Sequence, residues 1–162
     1  MTSNDTTPTN DRVPTADAVD VVRRYYAAIN ARDWSGYDGL FTADTELAAP
    51  GTEEDGFLRL RGIDAVRGFD QIWATASDDF TVEPLETVSD AEGSVVLSRN
   101  RISMTHTGTL HTPMGDVPAT GARIDTTYVG TFHLHDGRIV SQQVYYDQLA
   151  LALQLGMLPA PA

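Results

Sequence analysis

The sequence predicts an α+β fold in which helices cover one face of a curved antiparallel sheet. Helical periodicity dominates residues 15–75, whereas alternating strand patterns dominate residues 80–146. Asp136-Gly137 separates two of the alternating runs and is typical of a two-residue hairpin turn, because type I′ turns need positive φ at both central positions. Helices that precede strands along a chain favour an α+β architecture over alternating α/β.

Three helices are predicted in the first half of the chain. The expected N-cap of the first is Thr15 and that of the second is Asp33, while the third begins at Gly62. Tyr25 and Tyr26 are adjacent, so one helix is not expected to turn both towards the core. The apolar positions at helical spacing are Val19, Val22, Tyr26 and Ile29; then Trp34, Tyr37, Leu40 and Phe41; then Ile63, Val66, Phe69 or Asp70, and Trp73.

The strands follow. Thr45–Pro50 predicts a short strand, after which 51–60 reads as an acidic loop. Residues 80–90 and 95–107 predict two further strands, and the hairpin around Asp136-Gly137 supplies the last two. Three glycines and two prolines make residues 108–121 a loop or lid. Together these strands are expected to form a sheet of four or so strands. A short apolar helix is expected after Asp147.

Composition limits the classes of function. The net charge is −12 and the eleven basic residues, all Arg, are scattered, which argues against nucleic acid or an anionic membrane as a partner. The absence of Cys and Lys excludes disulfides, thiolate chemistry and a Schiff-base lysine. No apolar run could span a membrane and no signal pattern opens the chain, so a cytoplasmic protein is expected.

The length predicts one domain, residues 15–158. The preceding residues 1–14 are polar, contain two prolines and are expected to form a disordered leader. Residues 159–162 form a short tail. His133 and His135 share a strand face, but no third ligand is evident, so no metal site is predicted.

Four stretches carry a resemblance to a known family. VVRRYYAAINARDW, continued by YDGLFTADTELAAP, and GIDAVRGFDQIW resemble the opening of ketosteroid isomerases and SnoaL-like polyketide cyclases. THTGTLHTPMGDVPATG resembles the H-x-G…P-x-T-G loop of the SnoaL-like branch, and HDGRIVSQQVYYDQLALALQLGMLP resembles its ending. The resemblance covers about residues 15–158. It implies the nuclear transport factor two-like superfamily, whose members have a cone-shaped α+β barrel and are commonly dimeric through the sheet.

The resemblance also indicates which family positions have changed. Tyr25 matches the oxyanion-binding tyrosine of ketosteroid isomerases, but Ala49 stands before Pro50 where those enzymes keep an aspartate base. The SnoaL-like cyclases keep a His and an Asp at the positions of Gly130 and Val144. The resemblance therefore implies the fold and the cavity, but not the family's catalytic pair.

Three residues are candidates for catalysis. His106, near the end of a long strand, has a side chain suited to proton transfer, although a structural histidine is an equal alternative. Asp147 could be a base at the cavity rim or the N-cap of the last helix. Tyr25 could hold an oxyanion or donate to a backbone carbonyl.

Aromatic and apolar side chains are the candidates for substrate binding, because aromatic walls suit a flat polycyclic ligand. Asp70 is a reserve candidate for the acid, at a helix position that could face inward. The predicted substrate-binding residues are Trp34, Phe41, Phe69, Asp70, Trp73, Met104, Tyr128 and Tyr146.

The resulting hypothesis is a cofactor-free SnoaL-like cyclase or isomerase of secondary metabolism. It would act by proton transfer on a small hydrophobic, polyketide-like substrate, in a homodimer formed through the sheet. Two alternatives share the fold: a non-catalytic binder of small molecules, and a cyclase that templates its substrate by shape alone.

Overall fold

The computed structural model describes residues 15–112 and 115–158. The predicted leader 1–14 and tail 159–162 lie outside the described residues. The helices are α1 (Thr15–Ala31), α2 (Ile63–Thr75) and α3 (Gln148–Gln154), with a 3₁₀ helix at Trp34–Gly39. The strands are β1 (Phe41–Pro50), β2 (Phe57–Arg61), β3 (Thr81–Ser89), β4 (Val95–Thr105), β5 (Leu110–Thr112), β6 (Gly115–Val117), β7 (Arg123–His135) and β8 (Arg138–Tyr146).

Six strands form one curved, unclosed sheet in the order β2-β1-β8-β7-β4-β3, and β5 and β6 form a separate hairpin. The predicted fold class is confirmed, with two corrections. β1 runs parallel to β8, a pairing that requires a long connection such as residues 51–137. The expected loop at 51–60 contains most of β2, an edge strand too short to show a clear alternation.

The closing hairpin has the predicted turn. Asp136 and Gly137 have φ values of 49° and 71°, as a type I′ turn requires. Close to this turn the pairing shifts between His133 and Leu134, so Val140 has no direct partner on β7. Such a bulge changes which face the following residues occupy, and this matters for the site.

Helix α1 packs on the inner face of the sheet and has a wide buried surface. Tyr25 and Tyr26 are both buried, which corrects the expectation that only one would face the core. The sheet curves around the helix, so an apolar arc wider than a single stripe is covered. The end of the helix is fixed to β3, because the Asn30 side chain donates to the Val82 carbonyl and accepts from its amide, both at 2.8 Å.

The core lies between this concave sheet face and helices α1 and α2. Its largest fully buried side chains include Tyr26, Tyr37, Phe41 and Phe132. Across the described ranges, no helix has the length and apolar character needed to cross a bilayer.

Candidate active site

A small cavity lies inside the cone, between the helices and the concave sheet face. Its volume is about 40 Å³, enough for a water molecule or a carbonyl-sized group but not for a polycyclic ligand. The lining is mostly apolar, with few polar side chains. It comprises Tyr25, Ile29, Phe69, Asp70, Trp73, Phe80, Val82, Ile102, Ile124, Thr126, Tyr128, Gln142, Val144, Tyr146 and Leu151.

A larger apolar groove lies beside the cavity and has a volume of about 550 Å³. It runs between α2, α3 and β5, and Leu110 and His111 form part of its wall. The predicted lid at 108–121 thus includes the β5–β6 hairpin, which borders the groove. The groove and the cavity share four lining residues, which separate them: Phe69, Trp73, Tyr146 and Leu151.

Asp70 supplies the carboxyl group of the cavity. It is 7% exposed and accepts hydrogen bonds from Tyr25 Oη at 2.9 Å and Tyr37 Oη at 2.7 Å. Both hydroxyls donate to Oδ2, and no hydrogen bond from a described residue reaches Oδ1. Burial raises the pKa of Asp70 to about 7, although the two hydrogen bonds act in the opposite direction.

The sequence of α2 explains why Asp70 points inward. Asp70 follows the fully buried Val66 by four residues and so lies on the same helix face. Arg67 lies next to Val66 and points towards the 3₁₀ helix, where its guanidinium donates to the Trp34 carbonyl at 3.0 Å and to Asp38 at 2.6 Å. These bonds hold α2 against the segment that carries Tyr37.

The two tyrosines remain protonated donors at neutral pH. Burial raises the pKa of both Tyr25 and Tyr37 well above the usual value, and the Asp70 carboxylate adds to the effect. Their rings meet edge to face at 5.8 Å, and Phe41 stacks on Tyr37 at 5.3 Å. The aromatic packing therefore fixes both hydroxyls against one carboxyl oxygen.

A second polar cluster lies on the same side of the sheet. Asn100 Nδ2 donates to Tyr26 Oη at 2.9 Å, and Ser98 Oγ donates to Asn100 Oδ1 at 2.8 Å. Burial raises the pKa of Tyr26 to about 12. A Cβ at Gly130 would lie 2.9 Å from the Phe132 ring and 3.3 Å from Tyr26 Oη, so these two side chains fill the space that a larger residue at position 130 would need.

Six of the predicted substrate-binding and catalytic residues line the cavity. Three others, Trp34, Phe41 and Met104, pack in or against the core and line neither the cavity nor the groove. The six that the structure brings together are Tyr25, Phe69, Asp70, Trp73, Tyr128 and Tyr146.

His106 and Asp147 are placed away from the cavity. His106 is fully buried, its Nδ1 lies 2.9 Å from Thr120 Oγ1, and burial lowers its pKa. Asp147 is exposed and caps α3 by accepting from the Ala150 amide at 2.9 Å. Neither side chain lines the cavity or the groove; for Asp147 the structure shows the alternative N-cap contact.

Two site residues were missed from the sequence. The helical spacing predicts Tyr37 only as part of an apolar stripe, although it donates to Asp70. Gln142 lines the cavity and is buried; its place two residues before the inward Val144 was the available signal. His133 and His135 are exposed, and no group of three potential metal ligands occurs within 15–112 and 115–158.

Comparison with known proteins agrees with this fold. The SnoaL-like domain profile matches residues 22–142. The structure is similar to a provisionally assigned SnoaL-like polyketide cyclase from Jannaschia sp. CCS1, with 18% identity, a TM-score of 0.76, and coverage of 97% of this chain and 100% of the other. A search of functionally curated proteins finds no significant match.

Two Streptomyces proteins are also similar. TsrD from Streptomyces laurentii has 23% identity and a TM-score of 0.74, over 90% of this chain and 99% of the other. IdmH from Streptomyces antibioticus, provisionally assigned as a polyketide cyclase, has 25% identity and a TM-score of 0.69, over 86% and 98%.

The curved, unclosed sheet and its helical cover define a domain of the nuclear transport factor two-like superfamily. Within that superfamily, the chain belongs to the SnoaL-like family. The family and the similar structures support a cyclase-type role.

Proposed function

We propose that the protein is a cofactor-free cyclase or isomerase that moves a proton on a hydrophobic, polyketide-like substrate, with Asp70 as the general base. The observation that carries this proposal is a buried carboxyl in the cavity whose pKa is raised to about 7. General acid–base catalysis is most efficient when the pKa lies near the operating pH.

The chemistry would proceed in two steps. The Asp70 carboxylate takes a proton from a carbon next to a substrate carbonyl, and the C–H electron pair becomes an enolate. In a cyclisation the enolate carbon then attacks a second carbonyl, whose C=O π electrons move to oxygen, and that oxygen takes the proton back from Asp70. In an isomerisation Asp70 instead returns the proton to another carbon of the enolate system. Tyr25 and Tyr37 keep Oδ2 occupied, so Oδ1 would take the proton.

The groove would hold the body of the substrate. Its volume of about 550 Å³ lies within the range typical of ligand pockets, whereas the inner cavity admits only the reacting end. Phe69 and Trp73 border both spaces and would stack on the substrate where it enters.

Deuterium exchange tests the proposal. A panel of enolisable hydrophobic ketones and 1,3-diketones is incubated in D₂O with the protein, and loss of the α-proton signals is followed by NMR. Asp70→Asn should slow the protein-dependent exchange by roughly 10²–10⁴-fold. Tyr26→Phe is the control, since the Tyr26 hydroxyl bonds to Asn100 rather than Asp70. Equal exchange rates for the wild type and Asp70→Asn would contradict the proposal.

The second candidate is a non-catalytic binder of small molecules. It is favoured by the apolar residues at three family catalytic positions, Ala49, Gly130 and Val144. A binder would hold members of the same panel without exchanging their α-protons, so the same experiment separates the two functions.

The homodimer through the sheet stays a prediction. Leu97, Val129 and Tyr145 supply apolar side chains that are more than one-third exposed, and their place on the sheet supports it. Light scattering after size exclusion would measure the mass, and a monomer at micromolar concentration would contradict the prediction.

A further inference from the structure

Gln142 is the unusual polar residue of the cavity. Its side chain is 3% exposed, yet neither Oε1 nor Nε2 has a hydrogen-bond partner among the described residues. Buried amides are normally paired, and each unpaired group requires an explanation. The other buried polar atoms without a partner in the described ranges, on Thr42, Thr45 and His106, belong to residues that do not line the cavity.

The backbone explains why an amide points inward here. Gln142 alternates with Val144 and Tyr146 along β8, and all three line the cavity. The bulge at Val140 brings Ile139 and Gln142 to the buried side although they are three residues apart. The sheet therefore presents this amide to the space that Asp70 also faces.

We propose that Gln142 recognises the substrate, with Nε2 donating to a carbonyl oxygen and Oε1 accepting from a hydroxyl two carbons away. The ligand class is thus a cis keto–enol unit, as in the enol of a 1,3-dicarbonyl. The inference rests on the proposed function: in the diketo tautomer the carbon between the two carbonyls carries the acidic proton, and Asp70 would take that proton and return it to one oxygen, which gives the keto–enol that the amide binds.

The alternatives to a keto–enol fit less well. A carboxylate offers two acceptors and no donor, so Oε1 would stay unpaired, and Asp70 together with a net charge of −12 repels an anion. A simple ketone also lacks the donor. A keto–enol satisfies both atoms of the amide and remains neutral.

Binding of two five-carbon probes tests the inference. Pentane-2,4-dione supplies the keto–enol, and pentan-2-one supplies the carbonyl alone; both are titrated at millimolar concentration by two-dimensional NMR. The wild type should bind the dione about tenfold more tightly, which is the effect of one additional buried hydrogen bond, and the Gln142 side-chain amide signals should shift. Gln142→Met should lose the preference, whereas Gln143→Met, on the opposite strand face, should retain it.

Stability gives an independent readout. Gln142→Met removes two unpaired polar atoms at nearly constant volume, so its Tm should equal or exceed that of the wild type. A lower Tm with the preference retained would show a structural amide and overturn the inference, as would absence of dione binding by the wild type. If Asp70→Asn loses the α-proton exchange while Gln142→Met keeps the preference for the dione, only the recognition role of Gln142 fails. If Asp70→Asn keeps the exchange while Gln142→Met loses the preference, only the role of Asp70 as the base fails.

Discussion

Asp70 and Asp79 lie nine residues apart and each accepts more than one hydrogen bond, yet their pKa values move in opposite directions. Asp79 accepts from Ser77 Oγ at 2.6 Å, from the amide of Thr105 at 2.6 Å and from Arg123 at 2.9 Å. These bonds hold the pKa of Asp79 well below its usual value. In Asp70, burial outweighs the two tyrosine bonds and raises the pKa to about 7.

The difference shows that access to water, more than the number of donors, decides the protonation state. At the exposed site of Asp79, water and the donors both favour the charged carboxylate. At Asp70, the tyrosine hydroxyls replace only part of the lost hydration. A pKa of about 7 instead of 3.8 corresponds to roughly 4 kcal/mol against the ionised form.

The largest expected effect is on the pH dependence of stability. Folded Asp70 has a higher pKa than in the unfolded chain, so its contribution to the free energy of unfolding falls as the pH rises from about 4 to 7. When the pH is raised from 5 to 8, the free energy of unfolding of Asp70→Asn should increase by roughly 2–3 kcal/mol relative to that of the wild type. Urea unfolding at both values measures this. If the two proteins differed by the same free energy of unfolding at pH 5 and at pH 8, Asp70 would be ionised over that whole range.

The next effect concerns the pH profile of exchange. Tyr37→Phe removes the stronger of the two hydrogen bonds that lower the pKa of Asp70, so the profile, which rises as the base ionises, should move to higher pH. Tyr25→Phe should give a smaller shift in the same direction. Tyr26→Phe is the matched control with an unshifted profile. A shift to lower pH in Tyr37→Phe would show that this hydroxyl does not stabilise the carboxylate.

The smallest effect is expected at the exposed aspartate. Asp79→Asn weakens the bonds to Thr105 and Arg123, and because the folded pKa of Asp79 is depressed, the stability it supplies is present above pH 4 and is lost on acidification. A slight fall in Tm at pH 7, which becomes smaller as the pH is lowered from 4 towards 2, is expected in thermal scans. A large fall at pH 7 would contradict the view that solvent screens this cluster.

Much of the fold could be predicted because its signals are local. Asp136-Gly137 and the spacing of α2 depend on neighbouring residues, and both elements appear where the pattern places them. The site depends on contacts between distant segments. Tyr37 and Asp70 are 33 residues apart. The bulge at Val140 shifts the alternation in the first half of β8, so the spacing of Gln142 from Val144 was its only local signal. Helix phase alone predicts that Asp70 could face inward, which makes it a reserve candidate for the acid.

The four side chains between groove and cavity also bear on regioselectivity. Phe69, Trp73, Tyr146 and Leu151 border both spaces, and the 40 Å³ behind them accommodates only a few atoms. In the proposed reaction, the carbon that loses its proton must therefore lie within a few bonds of one end of the substrate. A long chain with many equivalent acidic positions would be processed at its terminal unit, and its interior positions would stay unreacted in the groove.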